Sequence, residues 1–219
     1  MSSTDRSALD PPYARIMPVM AFLANPILQT LRARAVQRLG LQPGDSVIDA
    51  GCGMGSNFPF LCAAVGPAGR VVGVDISPYL AAKARQFVLK RKWPNVEVIV
   101  AAAHAVELAD QYDGLLLFAV HEVLTSPAAL DNLLSHVKEG AGVVTFGSKQ
   151  TQTFPGALLN PVWRRASRTW LAGAAPMDAQ PWRALAQRIQ VQRVEEYLFG
   201  AFYLVSGVVA SSSPIPSAG

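Results

Sequence analysis

Short apolar runs, each bounded by glycine, proline or charge, alternate with stretches of helical spacing along most of the chain. Ser46-Val47-Ile48 follows the turn Pro43-Gly44-Asp45 and reads as a buried strand. The spacing of Phe58, Phe60, Leu61 and Ala64 predicts a helix that starts near Ser56-Asn57. A second strand, Arg70-Val71-Val72-Gly73-Val74, ends on Asp75. The next helix covers residues 78–89, with Ser77 as N-cap and Pro78 at the first helical position. Strands are predicted at residues 95–100, 114–120 and 142–147, with a helix at 127–137 and another ahead of the first strand at 26–39. This alternation is that of a doubly wound α/β sheet.

The rhythm breaks between residues 151 and 178, where Pro155, Gly156, Pro161, Gly173 and Pro176 fall among Trp163, Trp170 and Leu171. A short helix at 181–188 then leads into two β-rich runs, 191–199 and 202–210, which meet at Gly200-Ala201. The tail 211–219 is rich in Ser and Pro and is expected to be disordered. There is no internal repeat.

Composition sharpens this picture in two respects. Of the 219 residues 51% are hydrophobic and only 16% charged, below the usual quarter, and the mean hydropathy is +0.25. One α/β domain can fill its core from that and still line an apolar pocket. The net charge of +4 is mild and the basic residues are scattered, so no nucleic-acid partner is expected. Lys90-Arg91-Lys92 ends a predicted helix, where cations complement the helix dipole. Two cysteines, Cys52 and Cys62, give no disulfide framework and fit a reducing cytoplasm.

The chemistry concentrates in Asp49-Ala50-Gly51-Cys52-Gly53-Met54-Gly55, between a strand and a helix. Glycines there let the backbone turn sharply and approach a ligand, and the helix N-terminus behind them suits an anionic group. Asp75, ending the second strand, is placed to bind the two hydroxyls of a ribose. A dinucleotide fingerprint would need glycine or alanine at Ser56, so a nicotinamide dehydrogenase ranks last. The G-x-G-x-G run with Asp49 two residues ahead, joined to Val72-Gly73-Val74-Asp75-Ile76-Ser77-Pro78, resembles motif I and its sequel in the class I S-adenosylmethionine (SAM)-dependent methyltransferases. The likeness extends loosely to the ubiquinone and menaquinone C-methyltransferases.

That resemblance implies a Rossmann-like sheet of about seven strands with an antiparallel final strand and helices on both faces. It implies SAM as cofactor, with the glycine loop facing its methionine part. Asp49, Gly51, Cys52, Gly53, Gly55, Asp75, Ile76, Ser77, Ala103, His104 and Phe118 are the expected cofactor-binding residues. His104 stands where the family often carries an acid near the adenine. The segment from Tyr112 to Leu124 looks like the family's fourth motif and places Phe118 and Ala119 at the acceptor side. His121 and Glu122 follow as candidate catalytic residues able to take a proton, with capping of the next helix as the competing reading. Tyr13, with Met17, Met20 and Phe22, suits a lid over the cofactor, so residues 1–40 are read as lid and first helices. Residues 41–210 are read as the SAM-binding domain, in which the insert 151–182 covers the acceptor, with Phe154, Leu159 and Trp163 as candidate walls.

The expected reaction is methyl transfer to a small, largely apolar acceptor: a lipid, quinone, polyketide or other secondary metabolite. The alternative is a SAM-binding scaffold, or a SAM-dependent cyclisation or rearrangement. No metal is expected, since no carboxylate cluster lies near Glu122. Asp10-Pro11-Pro12-Tyr13 spells the motif of adenine-modifying DNA methyltransferases, but only nine residues precede it, too few for the strand it needs. Pro18 and Pro26 interrupt the apolar stretch 16–31, so membrane contact is expected to be transient at most. The predicted location is cytoplasmic, and a homodimer is left open.

Overall fold

The computed structural model describes residues 25–149 and 179–210. Tyr13 and the rest of the expected lid, the greater part of the insert with Phe154, Leu159 and Trp163, and the tail 211–219 lie outside the described residues. In chain order the elements are α1 (Asn25–Leu39), β1 (Ser46–Ala50), α2 (Phe58–Val65), β2 (Arg70–Asp75), α3 (Pro78–Arg91), β3 (Val96–Val100), β4 (Tyr112–Phe118), α4 (His121–Leu124), α5 (Pro127–Ser135), β5 (Val137–Ser148), α6 (Arg183–Ala186), β6 (Ile189–Tyr197) and β7 (Phe202–Val209).

The strands form one seven-stranded sheet in the order β3-β2-β1-β4-β5-β7-β6. The first five pair in parallel, and β7 runs antiparallel between β5 and β6. Alternation along the strands sends their side chains into two cores. On one face Val47, Val71, Leu116 and Phe118 pack with Leu31, Ala35 and Leu39 of α1, Phe58 and Leu61 of α2, and Ala81 and Ala84 of α3. On the other, Ile48, Val72, Leu115 and Leu117 pack with Leu130 and Leu133 of α5 and with Trp182 and Leu185 at α6. The doubly wound sheet with its antiparallel final strand is as the sequence predicts.

Element ends differ from expectation for local reasons. α5 stops at Ser135 rather than 137, because Val137 is buried and already pairs with Tyr112. β5 therefore starts five residues before the expected 142, its exposed Lys138-Glu139-Gly140 having masked the strand pattern. β4 runs from Tyr112 to Phe118 instead of 114–120, since Ala119 turns into the left-handed region at φ 61°. The predicted helix at 181–188 is a single turn, Arg183–Ala186, beyond which Ile189 opens β6. The caps follow the pattern: Leu80 N–H donates to Ser77 Oγ at 3.2 Å and Ala129 N–H to Ser126 Oγ at 3.3 Å.

Candidate functional site

β1 lies between β2 and β4, so the chain leaves β1 towards one side of the sheet and returns to β4 on the other. A crevice opens at the carboxyl ends of strands at such a reversal. The end of β1 continues into the glycine loop, which is hung from β2: Gly51 N–H and Cys52 N–H both donate to Val74 O, at 2.7 and 3.1 Å. Gly51 has φ 71°, and a Cβ there would lie 2.2 Å from Cγ1 of Val120 at the end of β4. Two strand ends thus close on one another over a bare backbone. A Cβ on Gly53 would meet nothing within 4 Å, so the loop is open on that side.

Asp75 borders this opening. Its Oδ2 accepts from Gly53 N–H at 2.8 Å and its Oδ1 from Ser77 N–H at 2.8 Å, which fixes the carboxylate. Ile76, next in sequence, is 50% exposed, an apolar side chain held in water beside a buried carboxylate. Such a residue can cover one face of a flat ligand ring. Cys52 is buried, and burial drives its thiol well above its ordinary value, so the thiol is a packing group beside Gly73.

Asp49 points the other way, into the α1 face of the core, and is fully buried. Burial pushes its carboxyl up to about 7, against the hydrogen bond from Asn57 and the charge of Arg32. Asn57 Nδ2 donates to both carboxylate oxygens, at 3.0 and 3.2 Å, and Asn57 Oδ1 accepts from Arg32 Nε at 3.2 Å. Asn57 is the N-cap of α2 yet makes no capping bond with its side chain, which is spent on this relay. The Arg32 guanidinium, 8% exposed, also sits 5.1 Å from the centre of the Phe118 ring. Phe118 in turn stacks on Phe146 at 4.4 Å. Its ring therefore belongs to the core, beneath the site.

Further out, Ala103 and His104 follow β3, Ala103 half-buried and His104 exposed. Asn132 of α5 fastens this loop by donating to Ala103 O and Val106 O, at 3.0 and 2.9 Å. Past β4, Ala119 donates to Phe146 O at 2.7 Å and holds its positive φ at the crevice edge. His121 opens the short α4. Its Nε2 is buried and has no hydrogen-bond partner among the described residues, while Glu122 is exposed. The structure thus gathers Asp49, Gly51, Cys52, Gly53, Gly55, Asp75 and Ser77 around one loop, with His104 and His121 on separate loops. Arg32, Asn57 and Asn132 were missed by sequence reasoning. The available signal was polarity out of place: Arg32 lies on the face of α1 that buries Leu31, Ala35, Val36 and Leu39.

The fixed Asp75 carboxylate, the open side of Gly53 and the exposed Ile76 fit a nucleoside with a polar tail, as SAM is. The methyltransferase-domain family matches residues 47–140, the segment that holds this crevice. The chain is 30% identical over 145 residues to the 2-phytyl-1,4-naphtoquinone methyltransferase of Thermosynechococcus vestitus, covering 64% of this chain and 62% of that protein. The chain spans 20 to 52% of the length of three other curated relatives that it matches. Among solved structures, a SAM-dependent methyltransferase from Aquifex aeolicus superposes with a TM-score of 0.60 at 21% identity, covering 96% of this chain and all of that one. The [4+2]-cyclase SpnF superposes with a TM-score of 0.66 at 13% identity, over 83% of this chain and 81% of that one. With its glycine loop, its strand-end carboxylate, the family match over residues 47–140 and these relatives, the chain is similar to the SAM-dependent methyltransferases.

Proposed function

We propose that this protein transfers a methyl group from SAM to a small, largely apolar acceptor. The observation that carries the reading is the Asp75 carboxylate, held by two backbone amides at the open side of the glycine loop. When bound, SAM supplies a methyl group already activated by its sulfonium charge. The chain's own residues then have to bind, orient and exclude water, which can supply roughly 7–11 kcal/mol of the barrier.

In this reading Asp75 accepts from the ribose hydroxyls and Ile76 covers the base. Gly51, Gly53 and Gly55 keep the loop free of side chains where the cofactor passes. The 101–104 loop, pinned by Asn132, offers Ala103 and His104 to the outer edge of the base. On the acceptor side His121 receives a proton at Nε2 from an acceptor hydroxyl or acidic carbon. Its buried, unpartnered nitrogen supports that role over a capping one, and Glu122, being exposed, is the weaker candidate. An apolar acceptor agrees with the chain's low charge and with the naphthoquinone methyltransferase among its relatives.

Calorimetry with SAM and with its demethylated product tests the cofactor half, with micromolar or tighter binding expected. Labelled methyl transfer across a lipid, quinone and polyphenol panel tests the acceptor half. SAM binding with no labelled product on any acceptor would favour a non-transferring SAM protein, since this fold also carries a cyclase. Among the described residues no helix is long and apolar enough to cross a membrane, and no group of three or more His, Cys, Asp or Glu is placed to hold a metal.

A further inference from the structure

The Arg32–Asn57–Asp49 relay has no counterpart in the sequence motifs, and its donor arrangement is unambiguous. Arg32 can only donate, so Asn57 must turn its carbonyl to Arg32 and its amide nitrogen to Asp49. That nitrogen then donates to both oxygens of Asp49, a geometry that suits a carboxylate without a proton. Burial opposes this charge. The charged or titratable groups that face Asp49 are Arg32 from α1, Asp75 from β2 and the Cys52 thiol of the loop. Leu116, its partner on β4, contributes no charge. Arg32 is therefore the cation that offsets both burial and the repulsion from Asp75. It lies upstream of the 47–140 segment that the family match covers.

We propose that Arg32 is a positioning residue for the cofactor: through Asn57 and by its own charge it keeps the buried Asp49 side chain ionised beneath the glycine loop, so that its charge acts through the loop on a cationic ligand held above. The inference rests on the SAM reading above. SAM carries a sulfonium and an ammonium group, so its arrival over the loop favours the ionised form of Asp49 by simple Coulomb attraction. Binding and the loss of a proton from Asp49 are then one linked equilibrium. The sign follows from burial: the carboxyl titrates near 7, so SAM affinity is full well above neutrality and falls as pH drops through 7. Removing the Arg32 charge moves that fall to higher pH. A shift of about one unit weakens binding roughly eightfold at pH 6.5 and less than twofold at pH 8.5.

The test is calorimetric titration of the full chain with SAM across this pH range, in pairs of buffers of different ionisation enthalpy. Wild-type protein is expected to release a fraction of a proton near pH 7, and Asp49→Asn to abolish that release. Arg32→Gln is expected to weaken binding selectively at low pH, while Arg32→Lys, which keeps the charge, stays closer to the wild-type profile. Should Arg32→Gln fail to fold, Asn57→Ser cuts the relay at a side chain that makes no capping bond to α2, and must show the same low-pH selectivity. Equal weakening at every pH would mean that Arg32 only packs α1 against the sheet, and would overturn the proposal. SAM binding by the wild type without proton release would overturn it too, and would leave the cofactor reading standing. No SAM binding at any pH would remove both.

Discussion

The two ends of the sheet are built on different principles. On the β1–β2 side, where the cofactor is proposed to bind, the site is made of backbone: amides of Gly51, Cys52, Gly53 and Ser77 find fixed acceptors, and the side chains that matter follow one another within a few residues. On the β4–β7 side the sheet is packed by side chains from elements distant in sequence, such as Trp182 against Tyr203. A backbone site needs specific residue types at specific spacings, and so leaves a motif. A side-chain site needs only shape and polarity, which many sequences can supply. The difference predicts that damage on the first side is severe and general, and on the second selective for the acceptor.

The sharpest test is Gly51→Ala. The new methyl group would press on Val120 in a backbone conformation costly for any residue with a Cβ, at a combined cost of about 3 kcal/mol. We expect loss of SAM binding and a lower thermal midpoint, with the stability partly restored by a second change, Val120→Ala. If Gly51→Ala binds SAM normally, the glycine loop is not a close-approach surface for the cofactor. Asp75→Ala is expected to fold, and to weaken SAM by about 100-fold as the ribose contacts and the anchors of Gly53 and Ser77 are lost together. A change under fivefold by calorimetry would break the claim that this side carries the cofactor.

This contrast also explains what could be read from the sequence. Asp49, the glycine loop, Asp75 and the Ser77 cap are local, and the alternation of strands and helices marked a doubly wound sheet, whose antiparallel end followed from the family resemblance. The relay through Asn57 was illegible, because its bonds span 8 and 25 positions and an N-cap asparagine has an ordinary local role. The start of β5 at Val137 was hidden for a similar reason. Its strand character comes from pairing with Tyr112, while its own next residues are charged or glycine. Phe118 was placed at the end of the correct strand, but only the structure turns its ring to Arg32 and Phe146.

On the acceptor side, His121→Ala is expected to lower kcat by about 100-fold for hydroxyl or carbon-acid acceptors, with SAM affinity unchanged within a factor of two. Glu122→Ala should change kcat less than threefold. Equal effects of the two variants, or a parallel loss of SAM affinity, would erase the proposed division between the two sides.

The smallest expected effect probes the element that joins them. α1 holds the cofactor side through Arg32 and the far edge of the sheet through Glu195 of β6, whose Oε1 meets Arg34 Nη2 at 2.6 Å and Arg38 Nη2 at 2.8 Å. The hydrogen bond from Arg34, then that from Arg38, lowers the Glu195 carboxyl to about 2. A depressed carboxylate stabilises the fold above its ordinary value near 4.5, and that contribution is lost as pH falls through about 2. Arg34 is half exposed, so solvent screens the pair and Glu195→Gln should cost only about 1 kcal/mol at pH 7. Denaturant melts at pH 7 and pH 2.5 measure this, with the gap between wild type and variant narrowing at the lower pH. SAM affinity at pH 8.5 should not move. If it does, α1 transmits strain from β6 to the glycine loop, and the two sides of the sheet act as one unit rather than as two.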